Sequence, residues 1–121
     1  MAFQKKRFDK EAQESGKWFD YDGAKFKLAS AKKKEFLKAY AEAAGEDGNI
    51  KEDADLHKVL LTVILDWENV ADEDGVTPLE FNEKDLLEIL EDDDEFARWA
   101  LSTVLNQENY RREKVEAKAK K

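Results

Sequence analysis

One segment of this 121-residue chain is much more apolar than the rest, and it limits the folds that the chain can adopt. From residue 56 to residue 67 the apolar residues recur at intervals of three and four, the period of one helix face. They are Leu56, Val59, Leu60, Val63, Ile64 and Trp67. We therefore expect a central core helix over 52–69. Leu61 and Leu65 widen its apolar face, and the extra width can dock a partner or another copy of the chain.

Turn residues mark a hairpin on the N-terminal side of this helix. Asp22-Gly23 lies between alternating apolar positions, which is the strongest short-range hairpin signal, so a two-stranded ribbon is expected over 17–28. The connection 70–81 is also rich in turn residues and is compatible with a second short ribbon. The expected β content is therefore small.

Helical spacing predicts three further helices. The first runs from residue 31 to residue 44 with Ser30 as its cap. Asn82 begins a Leu-rich helix, and Asp94 is the expected cap of the next one. The predicted fold class is mainly α with minor β structure: about four helices and a small N-terminal β-hairpin.

Length and composition favour a single domain over residues 1–121. Residues 1–15 lack a hydrophobic period and are expected to form a flexible arm, while 17–110 form the folded body. Residues 111–121 favour helix but have little to bury, so we expect them to fray. Without cysteine there is no disulfide, and neither a signal peptide nor a membrane span is expected.

Charge is segregated along the chain, whose net charge is -8. Residues 41–98 have 20 acidic side chains and 4 basic ones, whereas the segments before and after them are net basic. An acidic body repels nucleic-acid phosphate and attracts basic protein surfaces. A protein partner is therefore expected, and a nucleic-acid partner is not.

Reactive side chains are few. His57 is the only histidine, and it follows Asp53 by four residues at what the helical pattern makes an exposed helix edge, so a surface ion pair or a helix contact is favoured over a metal site. Asp72, Asp74 and Gly75 match part of a calcium loop whose two most diagnostic ligands are missing, and turn chemistry explains the same residues without a metal. The chain is therefore not expected to be an enzyme or to hold a cofactor or metal.

The stretch 64–82, Ile-Leu-Asp-Trp-Glu-Asn-Val-Ala-Asp-Glu-Asp-Gly-Val-Thr-Pro-Leu-Glu-Phe-Asn, resembles the tail assembly chaperones of long-tailed bacteriophages. The likeness lies in a Trp-Glu-x-Val step, an Asp-Glu-Asp-Gly turn, a Pro-x-x-Phe step and an asparagine that opens a Leu-rich helix. It extends over about residues 17–112. The motifs are mainly structural, so they indicate a family better than a site.

This resemblance implies a non-catalytic protein that acts in the cytoplasm of the infected bacterium and is absent from the mature virion. Its implied partners are the tape measure protein, which is long, helical and prone to aggregate, and the major tail tube protein. Self-association is also open. Two alternatives remain: an acidic inhibitor that imitates nucleic acid, and a small structural adaptor of the virion.

The candidate partner-binding residues are apolar positions and charged segments next to them. Alternatively, the apolar ones belong to the core and the others are merely solvated. The candidates are Leu61, Leu65, Trp99, Glu91, Asp92, Asp93, Asp94, Glu95, Tyr110, Arg111 and Arg112.

Overall fold

The computed structural model describes residue 3 and residues 5–112, and its fold is mixed α+β. The elements in chain order are α1 (Lys10–Ser15), β1 (Lys17–Tyr21), β2 (Ala24–Leu28), α2 (Lys34–Ala43), α3 (Asp53–Leu60), β3 (Ile64–Glu68), α4 (Glu83–Asp92), α5 (Asp94–Leu105) and a 3₁₀ helix (Gln107–Tyr110). None of the helices described is long and apolar enough to cross a bilayer. The fraying helix expected over 111–121 lies mostly outside the described residues.

The predicted hairpin is present, and it forms the first two strands of a larger sheet. β1 and β2 pair antiparallel with Phe19 opposite Phe26. The connecting residues Asp22 and Gly23 have φ values of 48° and 83°, as a two-residue primed turn requires. The side-chain amide of Asn69 donates to the Gly23 carbonyl at 2.9 Å and so ties this turn to the end of the third strand.

The prediction of one helix over 52–69 is wrong, because the chain changes from helix to strand in the middle of this segment. α3 ends at Leu60, and β3 then pairs antiparallel with β2 to give the strand order β1-β2-β3. The Thr62 hydroxyl donates to the Val59 carbonyl at 2.6 Å within the turn between them. The fold is therefore α+β, and the expected mainly α class with a minor hairpin is incorrect.

The N-terminal half also differs from expectation at its helices. The arm expected over 1–15 contains helix α1, whose cap Asp9 accepts the Ala12 N–H at 3.0 Å. Helix α2 begins at Lys34 rather than at residue 31, and Ser30 does not cap it. The Ser30 side chain is instead buried and donates to Gln107 Oε1 at 2.8 Å. Its oxygen also accepts the Lys32 N–H at 3.0 Å, so this hydroxyl bonds both to the local turn and to a distant segment.

The C-terminal half agrees better with expectation. Asn82 caps α4, and its side chain accepts the Asp85 N–H at 2.8 Å, as predicted. Helix α5 begins one residue earlier than expected, since Asp93 rather than Asp94 accepts the Phe96 N–H. Between β3 and α4, the expected second ribbon is reduced to an isolated bridge between residues 71 and 78. The described residues form five α-helices rather than four.

The core lies between one face of the sheet and the helices. Phe26, on the central strand, is at the middle of an aromatic cluster, with ring centroids 4.8 Å from Phe96, 5.9 Å from Trp99 and 6.4 Å from Trp67. The other face of the sheet is charged, and Lys25 there forms a 3.1 Å ion pair with an aspartate of β1. The alternation of charged and buried residues along β2 sets this orientation.

Candidate functional site

The three apolar candidates pack against the core rather than forming one exposed patch. Leu61 and Leu65 are half-buried, and a Leu65 methyl group lies against Gly16, the residue that ends α1. Trp99 is also half-buried and stacks on Tyr21 with their ring centroids 4.4 Å apart. These side chains contribute more to packing than to an open binding face.

Two of the charged candidates, Glu91 and Asp92, line a groove that was not predicted from the sequence. A cleft of about 530 Å³ runs between the 71–79 loop and helix α4, and we call it the acidic groove. Three apolar residues, Ala71, Leu79 and Ile89, form part of its lining. Its six carboxylates belong to Asp72, Glu73, Asp85, Glu88, Glu91 and Asp92.

Helix α4 supplies one wall of the acidic groove through its residue spacing. Asp85, Glu88 and Asp92 are separated by three and four residues and therefore share a helix face with Ile89. The opposite wall is held by Leu79, whose carbonyl accepts the Trp67 indole N–H at 2.7 Å. The groove is therefore fixed to the core on both sides. The acidic spacing along α4 is the sequence signal that could have revealed it.

The electrostatics of the acidic groove favour a cationic occupant. Within residues 3 and 5–112, none of its six carboxylates forms a salt bridge, although Asp85 accepts the Asn82 side-chain amide at 2.6 Å. Closely spaced like charges repel one another, and a basic segment entering the groove would relieve that repulsion. The apolar lining would at the same time cover aliphatic side chains of such a segment.

The predicted 91–95 run is divided between two roles. Glu91 and Asp92 line the acidic groove, whereas Asp93 caps α5. Asp94 and Glu95 are exposed in the first turn of α5, where negative charge stabilises the helix dipole. The pKa of Tyr21 is raised, first by burial and then by the negative charge of Glu95 and Asp93. Two of the five acids are thus placed to meet a partner in the groove.

The loop beside the groove is organised by Asp74. Its carboxylate accepts the N–H groups of Val76 at 2.9 Å and Thr77 at 2.8 Å, and also the Thr77 hydroxyl. The hydroxyl bond is the main cause that lowers the pKa of Asp74 to about 2. Turn formation therefore accounts for this aspartate without a metal ion.

The pH dependence of this loop follows from the lowered pKa. The ionised Asp74 carboxylate stabilises this loop. That stabilisation is fully present above the ordinary pKa of 3.8 and is lost as the pH falls toward about 2. We expect the amide NMR signals of Val76 and Thr77 to titrate with a midpoint near pH 2. In Thr77→Val, which lacks the hydroxyl, the midpoint should rise toward 3.8. A wild-type midpoint already at that ordinary value would contradict this account of the turn.

The remaining candidates lie in a different part of the molecule, where residues 106–112 pack on residues 6–13; we call this pairing the clasp. Tyr110 is completely buried, and its hydroxyl donates to the carbonyls of Leu28 at 3.1 Å and Ala29 at 3.0 Å. Arg111 is paired with Glu108, and the Arg112 N–H donates to a backbone carbonyl of the N-terminal segment at 2.7 Å. Tyr110 is therefore a structural residue, not a surface contact.

His57 is buried rather than placed on an exposed helix edge. Its side chain is 5% exposed, and its Nδ1 has no hydrogen-bond partner within residues 3 and 5–112. No group of three or more His, Asp or Glu side chains in that part of the chain is arranged to hold a metal ion. The structure places His57 among the packing residues of α3.

Comparison with known protein families gives a match to a family of prophage proteins. The model of the YdaY prophage protein family matches residues 20–121, a range that includes β2, β3, the acidic groove and Tyr110. No curated protein and no solved structure matches the chain. Because the matched range covers most of the sequence, the protein belongs to the YdaY prophage protein family.

Proposed function

We propose that this prophage protein is a non-catalytic tail assembly chaperone. In this role it binds the tape measure protein and tail tube subunits during tail assembly, in the cytoplasm of the infected bacterium. Membership of a prophage protein family supports a phage role of some kind. The likeness of residues 64–82 to tail assembly chaperones supports the more specific role.

The acidic groove is the observation that carries the proposal. An aggregation-prone helical client exposes apolar stripes, and a groove with Leu79 and Ile89 in its lining can cover part of such a stripe. The carboxylates around it would select stripes flanked by Lys or Arg and would speed the encounter. Their charge would also keep the complex soluble. Nothing in this role requires a reactive side chain.

Coexpression with the tape measure protein of the same prophage tests the proposal. We expect the wild-type chain to keep tape measure segments in the soluble fraction and to copurify with them. The double variant Glu88→Lys, Glu91→Lys should lose most of this effect, because both side chains are exposed in the groove and their reversal repels a basic client. The affinity for tape measure segments should fall by roughly tenfold or more, which corresponds to a loss of about 1.4 kcal/mol of binding free energy.

A matched control separates groove binding from a general charge effect. Glu42→Lys, Glu46→Lys makes the same change in net charge at two exposed positions outside the groove, and it should behave like wild type. If the wild-type chain leaves the tape measure segments insoluble and fails to copurify with them, the chaperone proposal is wrong. If both double variants are equally impaired, the groove is not the client site.

A further inference from the structure

A second charged surface, of opposite sign to the acidic groove, lies on the N-terminal segment. Within a shallow cleft it brings together the cations Lys6, Arg7, Lys10 and Lys32 and the rings of Phe3 and Phe8, with no carboxylate among the lining residues. We call this surface the basic pole. Its charges come from three separate places: the N-terminal segment, the first residue of α1 and the turn before α2.

The basic pole also presents an apolar anchor. Phe3 is 80% exposed, and the Arg7 guanidinium lies 4.5 Å from the centre of its ring. Arg7 is also 5.4 Å from the ring of Phe8, so a cation and two rings form one group. An exposed aromatic ring surrounded by cations matches a cleft that has an apolar lining surrounded by carboxylates.

The two surfaces are associated with opposite ends of the sheet. The basic pole includes N-terminal residues of the clasp, and the C-terminal half of the clasp contains Tyr110, which bonds to Leu28 at the C-terminal end of β2. The acidic groove borders the loop that follows β3, whose last residue Glu68 pairs with Lys25 near the start of β2. A β-strand of this length spans about 15 Å. The complementary surfaces of one copy are thus placed to meet those of other copies.

We propose that copies of this chain associate head to tail, with the basic pole of one copy seated in the acidic groove of the next. An interface of this kind joins two different surfaces, so each added copy presents a new groove or pole and growth continues into a ring or a filament. The occupant is a second copy, and the argument is charge complementarity. The inference does not depend on the tape measure protein, but the two occupants would compete for one groove.

Self-association of the purified protein, without any client, tests this inference. At low ionic strength we expect the average mass in analytical ultracentrifugation to rise with concentration above that of one chain. At about 0.5 M salt, where charges are screened within about 4–5 Å, it should fall to a single chain. The groove variant Glu88→Lys, Glu91→Lys and the pole variant Lys10→Gln, Lys32→Gln should each remain single chains at low salt.

Mixing the two variants identifies the head-to-tail arrangement. The groove variant retains a working pole, and the pole variant retains a working groove, so one contact can form between them and no further copy can add. The mixture should therefore stop at two chains. The control Glu42→Lys, Glu46→Lys should associate like wild type. Phe3→Ala should weaken wild-type association by roughly tenfold, because it removes the apolar anchor of the basic pole.

Three outcomes would overturn the inference. The first is a wild-type protein that remains a single chain at low salt at every concentration. In the second, the groove variant or the pole variant still associates by itself. That result would show that the contact does not require both the groove and the pole. The third is a mixture that contains only single chains. These results concern the chain alone, so they leave the chaperone role to be decided by coexpression with the client.

Discussion

Phe26→Ala is expected to lower the free energy of unfolding by about 4 kcal/mol, within the range typical of buried aromatic residues that are truncated to alanine. Phe26 is only 5% exposed, and its ring contacts Phe96, Trp67 and Trp99 from the central strand of the sheet. Truncation would leave a cavity between the sheet and α5, and the surrounding rings could close it only in part. Urea denaturation followed by circular dichroism measures the loss.

Two variants show whether the loss comes from this position. Phe26→Leu retains most of the apolar volume and should cost about 1–2 kcal/mol. Trp18→Ala removes a larger ring from the neighbouring strand, but Trp18 is 40% exposed and lies outside the core cluster, so the loss should be clearly smaller than that of Phe26→Ala. Equal losses for Phe26→Ala and Trp18→Ala would show that the core is not where this structure places it.

Tyr110→Ala is expected to destabilise the fold by about 3–5 kcal/mol, because it removes both a buried ring and the hydroxyl that bonds to the end of β2. The Tyr110 hydroxyl has a single proton, which is shared between the carbonyls of Leu28 and Ala29. Tyr110→Phe retains the ring and should cost about 1–2 kcal/mol for the lost hydrogen bonds. The same urea denaturation experiment measures both variants.

Alkaline titration gives a second measurement on Tyr110. Burial raises the pKa of its hydroxyl well above the ordinary value of 10.0, so the folded protein resists its ionisation. The stabilisation that the neutral Tyr110 hydroxyl gives the fold is therefore complete below pH 10 and is lost as the pH rises above that value. Wild type should lose more stability above pH 10 than Tyr110→Phe does. Identical pH dependence in the two proteins would contradict the buried position of the hydroxyl.

Local signals in the sequence predicted the parts of the fold that depend on local chemistry. Asp22-Gly23 identified the hairpin because a primed turn needs residues that tolerate positive φ. Asn82 identified the start of α4 because its side chain bonds the N–H of a residue three positions later. Each of these interactions lies within a few residues, so the sequence alone contains the relevant information.

Prediction failed where a distant segment decides the structure. Val63, Ile64 and Trp67 fit a helical stripe as well as a buried strand, since a short apolar run satisfies both periods. What selects the strand is pairing with β2, whose residue Phe26 lies opposite Trp67 although the two are about forty residues apart. Similarly, Ser30 is a plausible cap by its local sequence, but α2 begins only at Lys34, and the Ser30 hydroxyl accepts the Lys32 N–H while it donates to Gln107.

The candidate site was recovered only in part for the same reason. Glu91 and Asp92 were selected as members of an acidic run, and they do line the groove. Asp72 and Glu73 line the same groove from a loop about twenty residues earlier in the chain, and no local pattern connects that loop to α4. Tyr110 is a candidate polar contact by sequence, but it is buried, and its burial depends on the sheet.

The clasp also determines when this protein can finish folding during its synthesis. The hydroxyl that seals the C-terminal end of β2 belongs to a residue 82 positions later. At a translation rate of about 5–20 residues per second, the ribosome adds that residue roughly 4–16 s after Leu28. During those seconds any hairpin that forms from β1 and β2 lacks the ring and hydroxyl of Tyr110 at one end. A nascent chain is therefore open at this end of the sheet until Tyr110 emerges.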